Sequence, residues 1–216
     1  MKRPVTVLLL LGLVVALGLF PAYASDRSAP AAVSPATTSG PAPDEKVTNG
    51  YDLKPQAILD MQEMQKKYAG LAGAIPQDKY TWRPGEGVRS VSEVFLHVTQ
   101  ANYYILSMMG VPAPPGMDAK DFEKSTTDKA KIISQLNESF AFAEAQVQNM
   151  TNADLAKPLP KLGPDANQGD VVFLLVTHMH EHLGQSIAYA RINGVVPPWT
   201  AAANAAAAKK AQKPQD

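Results

Sequence analysis

Three of the four histidines in this 216-residue chain have a spacing suited to binding a metal ion. His178 and His182 are four residues apart, so on a helix their imidazoles lie on one face, one turn apart. His97 lies in a separate segment with helical periodicity. Two imidazoles from one helix and a third from another are typical of a metal site that keeps at least one coordination position open. The remaining histidine, His180, is expected to point elsewhere.

The two neighbouring histidines also continue a row of core positions along their predicted helix. That row reads Val171, Leu175, His178, His182, Gln185 and Tyr189. A buried polar group without a partner costs about 1–3 kcal/mol, and a metal ion would supply a partner to both rings. An alternative remains open, in which the histidines are only packed and bind no metal, because the sequence does not show which helices face each other.

The overall composition excludes several classes of protein. Lys plus Arg and Asp plus Glu both number 20, so no net charge favours binding to nucleic acid or to an anionic membrane surface. The chain contains no cysteine, which excludes lipid attachment through a lipobox, disulfide bonds and thiol catalysis.

The N-terminal residues 1–24 have the pattern of a secretory signal peptide. Lys2 and Arg3 precede an apolar run over residues 5–20, and Ala22 and Ala24 place small side chains at a cleavage site. We therefore predict cleavage after Ala24 and a periplasmic or secreted protein. Retention of the segment as a membrane anchor is the alternative, since the run is slightly long for the apolar region of a signal peptide, although it is shorter than the roughly 20 residues of a comfortable bilayer span.

Four regions follow the signal peptide in this interpretation. Residues 25–49 are rich in Ala, Pro, Ser and Thr and are expected to be a disordered linker. Residues 50–200 are predicted to form the folded domain. Residues 201–216 are expected to be a flexible tail, helical in part, because they carry no hydrophobic stripe.

The folded domain carries helical periodicity and no sustained strand-like alternation. We predict main helices over residues 53–73, 91–109, 127–150 and 170–193, with a short extra turn over 151–156. Ser90 and Glu93 have the spacing of a capping box at the start of the second helix, and Asp170 is predicted to cap the fourth. The first half of the fourth helix has apolar side chains on all of its faces, as is typical of a central helix. These features predict an all-α four-helix bundle.

Two motifs resemble the DinB-like (DNA-damage-inducible) superfamily of metal-binding four-helix bundles. The sequence SVSEVFLH over residues 90–97 is similar to the family's entry into its second helix, and HMHEHLGQ over residues 178–185 matches its H-x-x-x-H-x-G-Q pattern. The WRP triplet at 82–84 and the segments AYAR at 188–191 and PPW at 197–199 also resemble the family. This chain has Leu183 where the family often has Arg, which leaves a polar contact at that position in doubt.

The resemblance implies that His97, His178 and His182 ligate a divalent transition metal, with zinc, nickel or iron as the usual ions. It also implies thiol S-transferase activity for some members of the family. Three neutral imidazoles with an open position are the arrangement of catalytic zinc, which favours hydrolysis or group transfer. We therefore expect an exported metal-dependent hydrolase or group-transfer enzyme, with a non-catalytic module that binds a metal or small ligand as the alternative. Expected partners are a small-molecule substrate or ligand and, as an option, a second copy of the chain in a homodimer.

Several other residues are candidates for roles around the metal. Glu181 is the candidate general base or support of a ligand, although a solvated surface carboxylate is an alternative. Tyr104 could line a pocket or pack in the core. Gln185 could orient a histidine or bond to the backbone. Arg191 and Trp199 are expected to be structural, as a cation at a helix C-terminus and an anchoring aromatic.

Overall fold

The computed structural model describes residues 52–117 and 120–212, which contain only helices, turns and one isolated bridge. The predicted signal peptide and the whole of the predicted linker lie outside the described residues. The main helices are α1 (Leu53–Ala74), α2 (Val91–Ser107), α3 (Lys129–Gln148) and α5 (Gln168–Ile192), with a short α4 (Asn152–Leu155) and a terminal α6 (Pro198–Ala211). Single 3₁₀ turns occupy Gln77–Lys79 and Phe122–Lys124. The predicted all-α class is confirmed.

The four long helices form a bundle in which consecutive helices are not always neighbours. Helices α1 and α2 each pack against both α3 and α5. The order around the bundle is therefore α1, α3, α2, α5, with α1 diagonal to α2. The long connection between α1 and α2 allows this crossing. As a result α2 lies beside α5, which the sequence patterns alone could not establish.

An aromatic cluster fills the centre of the bundle. Tyr68 of α1 contacts Phe140 of α3 and Phe95 of α2, with ring centroids 5.5 and 6.3 Å apart respectively. The Tyr68 hydroxyl donates a hydrogen bond of 2.8 Å to the carbonyl of Met179 in α5. A buried tyrosine is stable when its hydroxyl has such a partner. This one side chain therefore links all four helices at the level of the histidine pair.

The start of α2 is fixed as the capping box predicts. Ser90 Oγ accepts from the Glu93 amide at 3.3 Å, and the Glu93 carboxylate accepts from the Ser90 amide at 2.8 Å. Arg83 supports this end by donating to the same carboxylate at 3.0 Å. Helix α5 begins earlier than predicted, because Asn167 is its N-cap and Asp170 is the third helical residue of another capping box.

One expectation about the surface was wrong. Phe173 and Leu174 in the first half of α5 are 59% and 41% exposed, so this half is not buried on all sides. The tail, which was expected to be helical in part, is helical up to Ala211, because alanine is the strongest helix former and Pro198 suits a first turn. None of the residues of α6 is buried. Across the described parts of the chain, no helix combines the length and hydrophobicity needed to cross a membrane.

Candidate metal centre

The three predicted histidines come together between α2 and α5. Nε2 of His97 lies 3.2 Å from Nε2 of His178, and the ring of His182 lies 4.4–4.5 Å from each of the other two, centroid to centroid. One nitrogen from each ring falls within 4.8 Å of the others. His180, on the same helix, is exposed and does not join the group. The three imidazoles could hold a metal ion.

The spacing of these nitrogens fits a transition metal. Metal–nitrogen bonds to histidine are about 2.0–2.1 Å, so two ligands of one tetrahedral ion lie about 3.3 Å apart. The 3.2 Å separation of the His97 and His178 nitrogens agrees with that value. Imidazole suits zinc, iron and nickel, and three imidazoles alone leave at least one position open.

The orientation of His97 is set by a carboxylate that the sequence analysis missed. Glu123, in the connection between α2 and α3, lies 2.7 Å from His97 Nδ1. Arg89 binds the same carboxylate through two hydrogen bonds of 2.6 and 3.0 Å. An ionised carboxylate can only accept, so His97 donates from Nδ1, and in its neutral form it keeps the lone pair on Nε2 free for a metal.

A second chain of hydrogen bonds orients His182. Nδ1 of His182 lies 2.8 Å from Oε1 of Gln185, and Nε2 of Gln185 donates to the Tyr189 hydroxyl at 3.0 Å. Because an amide oxygen only accepts, His182 donates from Nδ1 and keeps Nε2 free. Trp82 packs edge-on against Tyr189, with ring centroids 5.3 Å apart. Gln185 thus has the orienting role considered for it, and the tryptophan of the WRP triplet supports that chain from outside.

His178 is held differently from the other two. Its Nδ1 is buried and has no hydrogen-bond partner among the described residues. Its other nitrogen faces His97. A buried nitrogen without a partner is costly, which makes His178 the least satisfied of the three rings in the protein alone.

Local electrostatics favour the neutral form of two of the three rings. Burial lowers the pKa of His97, and the charge of Arg89 adds to this against the raising effect of Glu123. Burial, followed by the neighbouring His182 and His97, lowers the pKa of His178 to about 4. Burial opposes the ionisation of Glu123, but hydrogen bonds from Arg89 and His97 outweigh it and lower the pKa of its carboxyl. Near neutral pH, His97 and His178 are therefore ready to bind a cation.

A cavity of about 660 Å³ adjoins the histidines. His97, His178 and Glu123 form part of its wall, and the rest comes from α2, from Leu174 of α5 and from the connection after α2. Its size falls within the range of about 300–1,000 Å³ usual for small-molecule sites. Tyr104 lines this cavity and is 63% exposed, so it belongs to the pocket and not to the core.

Other candidate residues lie away from this centre. Glu181 is exposed and does not line the cavity, whereas Glu123 provides the carboxylate at the metal site. Leu183 is buried in the hydrophobic core, so the polar contact in doubt at this position is not made. Arg191 lies in the last turn of α5, and Trp199 packs partly buried against the core with Lys67 above its ring, as expected for structural residues.

Comparisons with known proteins agree with this architecture. The sequence profile of the DinB superfamily matches residues 60–186, which include all three histidines. A DinB-like protein from Bacillus cereus ATCC 10987 has a similar fold, with a TM-score of 0.56, 18% identity, and coverage of 67% of this chain and 95% of that chain. YfiT from Bacillus subtilis, described as a probable metal-dependent hydrolase with an unusual four-helix bundle topology, has a TM-score of 0.51, 16% identity, and coverage of 66% and 89%. No curated protein matches the sequence significantly.

Replacing each of the three histidines in turn by alanine should remove bound metal. We expect His97→Ala, His178→Ala and His182→Ala to lower zinc affinity by more than about 100-fold, because each removes one of three ligands. Isothermal titration and elemental analysis of tag-free protein measure this. His180→Ala is the matched control, because His180 lies on the same helix but is exposed and outside the histidine group. This variant should bind zinc normally. Stoichiometric metal in His178→Ala would contradict the site.

The carboxylate that orients His97 should also contribute to metal affinity. Glu123→Gln keeps the size of the side chain but loses the charge that fixes the His97 tautomer, so zinc should bind about 10–100-fold more weakly. Glu181→Gln removes an exposed carboxylate from α5 and should leave zinc affinity unchanged. Competition with a chelator of known affinity measures both variants. Equal affinity of the two variants would show that Glu123 does not support the metal.

Proposed function

Because this chain belongs to the DinB superfamily, we propose that it is a metal-dependent hydrolase of small molecules. The observation that carries the proposal is that the cluster of three histidines adjoins a cavity of ligand size, with two of the three rings on its wall. His97 and His178 line that cavity. A metal held by the three rings would therefore be reached from the cavity through its open position. A purely structural site, by contrast, is closed by protein ligands on all sides.

The residues around the histidines suit a catalytic centre. When bound, a divalent ion supplies Lewis acidity to an oxygen of the substrate. The Arg89–Glu123 pair holds the His97 ring in one orientation and one tautomer. Gln185 does the same for His182. Such fixed supports keep ligands in place without reorganisation during the reaction.

Hydrolysis is favoured over thiol transfer for two reasons. A structural neighbour, YfiT from Bacillus subtilis, is described as a probable metal-dependent hydrolase. The N-terminal residues 1–24 read as a signal peptide, and the thiol cofactors of the cytoplasm are scarce outside it. Hydrolysis needs only water as a second reactant: one water is consumed, one bond of the substrate is broken, and no electron donor or acceptor takes part.

We expect hydrolysis to depend on the metal and on the histidine ligands. Chelated protein should lose activity against a panel of chromogenic esters and amides, and added zinc, nickel or iron should restore it. The ion that restores the highest rate identifies the metal. His178→Ala should lower kcat/KM by about 100-fold or more, whereas His180→Ala should retain the normal rate. Activity that survives chelation and the loss of His178 would refute a metal-dependent hydrolase.

Export forms a separate part of the proposal. In a bacterial host, the mature protein should begin at Ser25 and be found outside the cytoplasm, as measured by N-terminal sequencing of cell fractions. Leu10→Arg places a charge in the apolar run over 5–20 and should keep the full-length protein in the cytoplasm. Leu59→Arg, on an exposed position of α1, is the control and should be exported normally. A protein that stays unprocessed in the cytoplasm would refute export.

A further inference from the structure

We infer that the cavity binds a ligand with an uncharged, apolar body and one Lewis-basic oxygen group at the histidines, such as an ester or amide of an alkyl or aryl acid. The inference rests on the proposed function, because it places the reacting carbonyl of that ligand at the three histidines. It goes further by assigning the chemical class of the substrate.

The cavity extends along α2 from the histidines towards the end of that helix. Its wall includes His97, Ala101, Tyr104 and Ser107 on successive turns. Ten residues of helix span about 15 Å, so the space is elongated and has the metal ligands at one end. On α5 the wall includes His178 and, one turn before it, Leu174. A ligand with its polar group at the histidines would thus lay its remaining length between α2 and α5.

The wall beyond the histidines is mainly apolar. It is formed by Ala101, Ile105, Met108, Ala113, Met117 and Leu174. Two polar side chains on this wall already bond within the protein. Ser107 Oγ donates to the Tyr104 carbonyl at 2.6 Å, and Gln100 Nε2 donates to the Met117 carbonyl at 2.8 Å. The second bond ties the connection after α2 to the helix and holds Met117 against the cavity.

No lysine or arginine lines the cavity among the described residues. Glu123, the only carboxylate on the wall in the described part of the chain, is committed through both oxygens to Arg89 and through one of them to His97. A charged group on the body of a ligand would therefore lose water without gaining a partner, which is costly. Apolar groups gain from the same transfer. The wall thus disfavours a charged group on the part of the ligand that lies away from the histidines and favours alkyl or aryl groups there.

Binding of hydroxamates tests this inference without turnover. The protein used is zinc-loaded and comprises residues 25–216. Acetohydroxamate, octanohydroxamate and the monohydroxamate of suberic acid share a metal-binding head and differ in their tails. We expect octanohydroxamate to bind at least about 30-fold more tightly than acetohydroxamate, because part of its chain is buried. The carboxylate at the end of the suberic compound should remove most of that gain. Isothermal titration calorimetry measures all three.

A pair of neighbouring substitutions locates the effect in the cavity. Leu174→Lys puts a cation on the cavity wall and should lower the preference for octanohydroxamate over acetohydroxamate at least 5-fold while improving the suberic compound. Phe173→Lys places the same charge on an exposed residue that does not line the cavity and should change neither ratio. Both variants should keep one equivalent of zinc. The three-ligand series on the unmodified protein remains decisive if Leu174→Lys does not fold.

The outcomes separate this inference from the proposed function. Equal affinities of acetohydroxamate and octanohydroxamate, or equal effects of the two lysine substitutions, would overturn the apolar ligand class even if short esters were hydrolysed. A strong preference for octanohydroxamate that is lost in Leu174→Lys would support it even if no ester were hydrolysed. In that second case only the hydrolase proposal would fail.

Discussion

This structure depends on one constraint: three imidazoles must stay neutral while their ligand nitrogens lie within 4.8 Å of one another. Protonation of any ring would place a positive charge beside the other two, so each ring needs surroundings that favour the neutral form. Burial supplies this for His97 and His178, whose pKa values are lowered. The hydrogen bonds to Glu123 and Gln185 then decide which nitrogen of His97 and of His182 carries the proton. Both choices leave Nε2 free, so the protein fixes the ligand atoms before any ion arrives.

The topology of the bundle follows from this need to bring α2 and α5 side by side. With α1 diagonal to α2, the connection between them crosses one end of the bundle and carries Trp82 and Arg83. Trp82 packs on the Tyr189 ring, which bonds to Gln185, and Arg83 bonds to the carboxylate that caps α2. One short segment thus supports both histidine-bearing helices. The connection after α2 returns over the same helix and delivers Glu123 to His97.

Much of this arrangement could be predicted from local patterns in the sequence. The helices follow from apolar periodicity, the start of α2 from the spacing of Ser90 and Glu93, and the histidine pair from one turn of helix. Glu123 could not be found this way, because it lies in an irregular connection 26 residues from its partner His97. Asp170 has a residue type that suits an N-cap, and its actual role as the third residue of a capping box follows only once Asn167 is recognised as the cap. Contacts between distant segments depend on the packing of whole helices, which periodicity does not encode.

The charge of a bound ion relates the histidine cluster to the adjoining cavity. Neutral imidazoles do not offset the charge of a divalent ion, and the nearest carboxylate, Glu123, is already paired with Arg89. A bound ion would therefore keep most of its positive charge at the edge of a cavity whose wall is largely apolar. In such surroundings an electrostatic interaction with a single oxygen is stronger than in water. The same arrangement explains why the cavity would attract one polar atom at the ion and offer no partner to a second charge further along. Glu123 and Arg89 are committed to orienting His97, and the described residues of the remaining wall include no charged side chain.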